Sequence, residues 1–148
     1  MSAAARILVI EDDPDFAEVM KAILEPHGYA VEVVDSPGAG MGRALAARPD
    51  LIVLDVMFGR EGRTEGFDFA VQVRQDRRLA SIPILMVTAV NVHHPGYRYS
   101  ADTDGEYLPV DAFLDKPAIP LDVIEKVQEL LARKTSRWRN WPQAEEEE

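Results

Sequence analysis

The 148-residue sequence contains no cysteine. Disulfides, thiolate catalysis and Cys-ligated zinc or iron–sulfur sites are therefore excluded. No apolar run approaches the ~20 residues that a membrane span needs. The first ten residues lack a signal peptide's layout, with one Arg, a short apolar run and then acids. A soluble cytoplasmic protein without membrane contact is the expectation. Positive charge is also scarce: 16 Lys and Arg stand against 26 Asp and Glu, for a net charge of −10. Phosphate affinity comes from Lys and Arg neutralising charge, so no nucleic-acid partner is expected. No G-x-x-x-x-G-K-S/T run occurs, which excludes a P-loop nucleotidase. What is present is ordinary globular composition, 47% hydrophobic and 28% charged, at a length that suits about one domain.

Short apolar runs alternate with longer amphipathic stretches. Arg6-Ile7-Leu8-Val9-Ile10 is rich in β-branched residues and stops at acids, so it reads as a buried strand. Asp13-Pro14 opens a helix, with Asp as N-cap and Pro in the first turn. Phe16, Ala17, Met20, Ile23 and Leu24 follow at helical spacing, and Pro26-His27-Gly28 ends it. Further strands are expected at 30–34, 51–54, 82–87 and 112–114, and further helices at 37–47, 67–79 and 121–133. Strands buried on both faces and separated by helices imply a parallel α/β sheet between two helix layers. Ligands in such sheets bind at the carboxyl ends of the strands.

Those ends carry chemistry. Glu11, Asp12 and Asp13 follow the first strand, Asp55 ends the third, Thr88 and Ala89 follow the fourth, and Lys116 with Pro117 follows the fifth. Two unit charges ~4 Å apart at an effective dielectric of ~20 repel by ~4 kcal/mol, so the acids need compensation. Lys116 supplies one positive charge, and a divalent cation would supply two. Mg²⁺ suits one or two carboxylates, waters and a phosphate oxygen. A neutralised Asp can then attack phosphorus, while Thr88 and Lys116 stabilise the transferred group.

The runs Ile7-Leu8-Val9-Ile10-Glu11-Asp12-Asp13-Pro14, Leu51-Ile52-Val53-Leu54-Asp55, Pro83-Ile84-Leu85-Met86-Val87-Thr88-Ala89 and Phe113-Leu114-Asp115-Lys116-Pro117 resemble receiver domains of two-component response regulators. Each run alone is a weak signal; the four in order at strand ends are specific, and the resemblance covers about residues 6–133. It implies a flavodoxin-like (CheY-like) three-layer fold with strand order 2-1-3-4-5. It implies Asp55 as phosphoacceptor and Mg²⁺ held by Glu11, Asp12, Asp55 and the carbonyl of Met57, with Asp12 the more direct ligand of the acidic pair. Thr88 matches the switch hydroxyl and Lys116 the lysine that pairs with the phosphoryl group. The Lys116–Pro117 bond is expected to be cis, Phe113 matches the switch aromatic, and Ala89 leaves room beside the phosphoryl group. The implied partners are a sensor histidine kinase or phosphotransfer protein and an unidentified downstream protein. No metabolic reaction is expected beyond the domain's own phosphorylation and dephosphorylation.

Other features have plainer readings. Asp13 is assigned to helix capping and kept off the metal set. Gly38-Ala39-Gly40-Met41-Gly42 misplaces the third glycine of a dinucleotide loop and reads as a weak helix start. His93-His94 reads as polar loop, since adjacent histidines rarely face one ion. Asp102-Thr103-Asp104-Gly105 lacks the acid at position twelve of a calcium loop, where Phe113 stands.

Two segments depart from the family. The stretch between Asp55 and the next helix, with Gly59, Arg60, Gly62 and Arg63, is a few residues long for it. Residues 90–110, where a receiver has its fourth helix, contain Pro95, Gly96, Gly105, Pro109 and three tyrosines, Tyr97, Tyr99 and Tyr107. That helix is expected to be shortened, displaced or absent. The domain is expected over 1–133, followed by a tail, 134–148, that starts basic and aromatic (Arg137, Trp138, Arg139, Trp141) and ends in four Glu. The tail reads as a frayed end or as a docking segment able to form a homodimer, and leaves no room in this chain for an output domain. Two rival functions remain: a degenerate receiver serving as a phosphorylation-independent scaffold, and an aspartate-nucleophile phosphohydrolase. The second is disfavoured because Met57 stands where its second Asp would be.

Overall fold

Five short parallel strands set the architecture of this computed structural model, which describes residues 4–55, 65–88 and 110–133. They are β1 (Arg6–Ile10), β2 (Ala30–Val34), β3 (Leu51–Asp55), β4 (Ile84–Thr88) and β5 (Ala112–Asp115), and they lie in the order β2-β1-β3-β4-β5. The helices are α1 (Pro14–Leu24), α2 (Pro37–Ala47), α3 (Glu65–Gln75) and α4 (Pro120–Arg133), with a 3-10 turn at Glu25–His27. The fold class and strand order expected from the sequence are therefore observed. Four α-helices among the described residues fit a shortened or absent fourth family helix, although residues 90–109 of the segment in question lie outside them.

The period-2 alternation of the strands sorts their side chains into two cores. Leu8, Ile10, Ile52, Leu54, Ile84 and Met86 face α2 and α3, meeting Ala44, Phe69, Ala70 and Val73. Ile7, Val9, Leu51, Val53, Leu85 and Val87 face α1 and α4, meeting Met20, Leu24, Val123, Val127 and Leu130. Central β3 is buried at every position, while edge strand β2 is half-buried, as its place in the order requires. Full burial of one such aliphatic side chain contributes ~1.5–3 kcal/mol, so the doubly covered strands dominate stability.

Helix starts follow their capping chemistry. The Asp13 carboxylate accepts the Asp15 amide at 2.9 Å, with Pro14 in the first turn. The Ser36 hydroxyl accepts the Ala39 amide, and Pro37 follows. After the 3-10 turn, Gly28 takes φ +92°, a left-handed conformation that favours glycine.

Two elements differ from the sequence reading by two or more residues at an end. The helix expected at 67–79 runs Glu65–Gln75. Asp76 ends it: its carboxylate accepts the Arg78 amide, and its carbonyl accepts the Leu79 amide. The strand expected at 82–87 runs Ile84–Thr88. The Ile82 amide is already given to the Leu79 carbonyl, its own carbonyl accepts Arg74, and Pro83 has no amide to donate.

Candidate functional site

Parallel strands with these registers align their carboxyl ends. Ile10 pairs with Leu54 across β1 and β3, Asp55 with Val87 across β3 and β4, and Thr88 with Asp115 across β4 and β5. Glu11 and Asp12, which follow β1, thus stand beside Asp55 at the end of β3 and Lys116 just past β5.

The side chains converge. Carboxylate oxygens of Glu11, Asp12 and Asp55 lie within 4.8 Å of one another. Glu11 and Asp55 are 3% and 4% exposed, whereas Asp12 faces solvent. The Lys116 ammonium donates to Asp55 Oδ2 at 3.2 Å and stands 3.6 Å from Glu11 Oε1. The Asp13 amide donates to Glu11 Oε2 at 3.1 Å, and the Asp13 carboxylate is turned away to cap α1. The assignment of Asp13 to capping is borne out.

Electrostatics at Glu11 follow from this crowding. Burial pushes its carboxyl up to about 8, helped by a hydrogen bond with Asp55 and by Asp55's charge; Lys116 and the Asp13 amide pull the other way less strongly. Crowding and burial thus favour the protonated form of Glu11. A divalent cation could replace that proton. The donor set is all oxygen and partly open to water, as hard cations such as Mg²⁺ require.

Several residues singled out from the sequence fall elsewhere. Met57 and Ala89 lie outside the described residues, as do Arg60, Arg63, His93, His94, the segment 89–109 and the tail 134–148. Thr88 closes β4 one residue beyond the partner of Asp55, and its side chain is not among the described ones. Phe113 is half-buried against the α2–α3 core, and the Lys116–Pro117 bond is cis. One neighbour was missed: the Phe16 ring lies under the Lys116 ammonium, 4.3 Å from Nζ to the ring centroid. Its spacing marked it only as an apolar residue of the first helix. The contact joins residues 100 positions apart, and only the position of Phe16 one turn after Asp12 hints at it.

Comparison with known proteins agrees with this geometry. The family model described as the response regulator receiver domain matches residues 7–128. The DNA-binding dual master transcriptional regulator RpaA of Synechocystis is 33% identical over 128 residues, covering 86% of this chain and 49% of its own. The chain spans about half the length of several such transcriptional regulators. Among solved structures, a response-regulator chain from Chloroflexus aurantiacus superposes with TM-score 0.73 at 27% identity, covering 88% of this chain and 99% of that one. The chemotaxis response regulator CheY4 of Vibrio cholerae gives TM-score 0.70 at 25% identity, covering 86% of this chain and 99% of that one. Fold, acidic pocket and family match coincide on the same residues, and the chain belongs to the response regulator receiver domain family, the signal-transduction modules of two-component systems.

Proposed function

We propose that this receiver accepts a phosphoryl group on Asp55 from a histidine kinase or phosphotransfer protein, with Mg²⁺ bound by Glu11, Asp12, Asp55 and the Met57 carbonyl. The observation that supports it is the buried Asp55 carboxylate 3.2 Å from Lys116 and within 4.8 Å of two further acids. A bound cation would offset carboxylate charge and supply Lewis-acid stabilisation of phosphoryl oxygens. An Asp55 oxygen forms a bond to phosphorus as the P–N bond of a donor phosphohistidine breaks, and the imidazole leaves. Lys116 pairs with the incoming charge, and Thr88 takes the role of the hydroxyl that follows it. The altered surface then changes binding of a downstream protein. Its chemistry is confined to its own phosphorylation and dephosphorylation. The net charge of −10 argues against nucleic-acid contact by these residues themselves.

Intact mass after incubation with acetyl phosphate and Mg²⁺ tests this reading. A labile adduct of ~80 Da, the mass of a phosphoryl group, is expected, and it should vanish in Asp55→Asn and with EDTA. No adduct from acetyl phosphate or from kinases would favour the phosphorylation-independent scaffold. Turnover of small phosphate esters would instead revive the phosphohydrolase.

A further inference from the structure

We propose that Phe16 is a positioning residue for Lys116, holding its ammonium at the phosphoacceptor through the face of the ring. The inference rests on the reading of Asp55 as phosphoacceptor. Nζ lies 4.3 Å from the ring centroid, inside the ~6 Å reach of a cation–π contact. The same atom is 3.2 Å from Asp55 and 3.6 Å from Glu11, so one ammonium is in contact with the ring and with both carboxyl groups. Lys116 is 22% exposed, which removes much of the water that would otherwise weaken the attraction.

The ring is itself fixed. Phe16 is the third residue of α1, and the Asp13 cap and Pro14 set where that helix begins. Its ring packs against the α1–α4 core and is half-buried. A lysine has a long flexible stem, and the cluster must keep its ammonium in place as Asp55 changes from carboxylate to phosphoryl ester. Another acid could hold it, but would add negative charge to a site already crowded with three carboxylates. An aromatic face attracts the cation without adding net charge and without accepting a strong hydrogen bond, leaving N–H groups for Asp55 and the phosphoryl oxygens.

The test measures phosphorylation rate by acetyl phosphate at saturating Mg²⁺, together with Mg²⁺ affinity, in the full chain. Phe16→Leu keeps an apolar filler and removes the π face. It should slow phosphorylation by ~3–10-fold, the size of one partly desolvated cation–π contact, with Mg²⁺ affinity unchanged or tighter. Phe16→Tyr and Phe16→Trp should keep the rate. Incorporating mono-, di- and trifluorinated phenylalanine at position 16 should lower it stepwise, because fluorine weakens the ring's negative face at nearly constant shape. In the metal-free protein, the Lys116 ε-methylene protons should show an upfield ring-current shift that Phe16→Leu abolishes. A Phe16→Leu rate equal to wild type overturns the proposal, as does a fluorinated series with no trend or a rate that falls in step with Mg²⁺ affinity, the mark of a displaced α1. A wild type that takes no phosphoryl group overturns the receiver reading and this role together, whereas a phosphorylated wild type with an indifferent Phe16→Leu overturns this role alone.

Discussion

Glu11 carries the strongest electrostatic signature of the site. Its carboxyl ordinarily titrates at 4.5 and is pushed up to about 8, chiefly by burial and then by Asp55. Between those values the folded protein holds a proton that the unfolded chain has lost, so metal-free stability should fall as pH rises. The contribution is complete below 4.5 and is lost as pH climbs through about 8. Urea unfolding in EDTA across this window should show a decline of roughly 1–3 kcal/mol. Glu11→Gln should flatten it, and a wild-type profile no steeper than that of the variant would count against a neutral Glu11. Metal binding needs the ionised carboxylate, so Mg²⁺ uptake should release up to one proton and tighten as pH approaches 8. Calorimetry in buffers of different ionisation enthalpy measures that proton directly.

At the scale of the element, α2 is the informative case. Its three glycines read alike in the sequence, each costing ~1 kcal/mol against Ala in a helix interior, yet the structure separates them. A Cβ on Gly38 or Gly42 meets nothing within 4 Å, whereas one on Gly40 would lie 2.6 Å from Ile10 Cδ1 and 3.3 Å from Phe69 Cε1. Gly42→Ala should therefore stabilise by ~0.5–1 kcal/mol. Gly40→Ala should destabilise, because moving the fully buried Ile10 and Phe69 costs ~1–3 kcal/mol, more than the helical gain. Thermal unfolding ranks the two, and the opposite order would mean that α2 can slide off the sheet. Gly40 shows what local pattern does not carry. Strands 30–34 and 6–10 and the starts of α1 and α2 were legible, since β-branched runs, caps and prolines act within a few residues. Glu11, Asp12, Asp55 and Lys116 were legible as a group because parallel topology sends strand ends to one edge. The end of α3, buried Phe69 and the Phe16 contact were not, because each depends on a partner distant in sequence.

At the scale of the whole molecule, the sheet's two edges have different duties. Acids and lysine gather at the carboxyl ends. At the other end Arg74, 0% exposed, pairs with Asp111 at 2.7 Å and donates to the carbonyls of Ala80 and Ile82. Asp111 also accepts the amide of Ile84, so this pair binds the end of α3 to the starts of β4 and β5. The two residues stand 37 positions apart, so no local sequence pattern joins them. Five-residue strands put ~16 Å between this pair and Asp55. Asp111→Asn preserves shape but removes the carboxylate charge 2.7 Å from the buried guanidinium, so it should cost ~3–5 kcal/mol of stability. That is a large share of the ~5–15 kcal/mol available to a domain, and the midpoint of thermal unfolding should drop accordingly. Phosphorylation by acetyl phosphate, measured at low temperature and scaled to the folded fraction, should nevertheless match wild type. A slower rate per folded molecule would show that the far edge also sets the geometry of Asp55, and that stability and signalling share one network across the sheet.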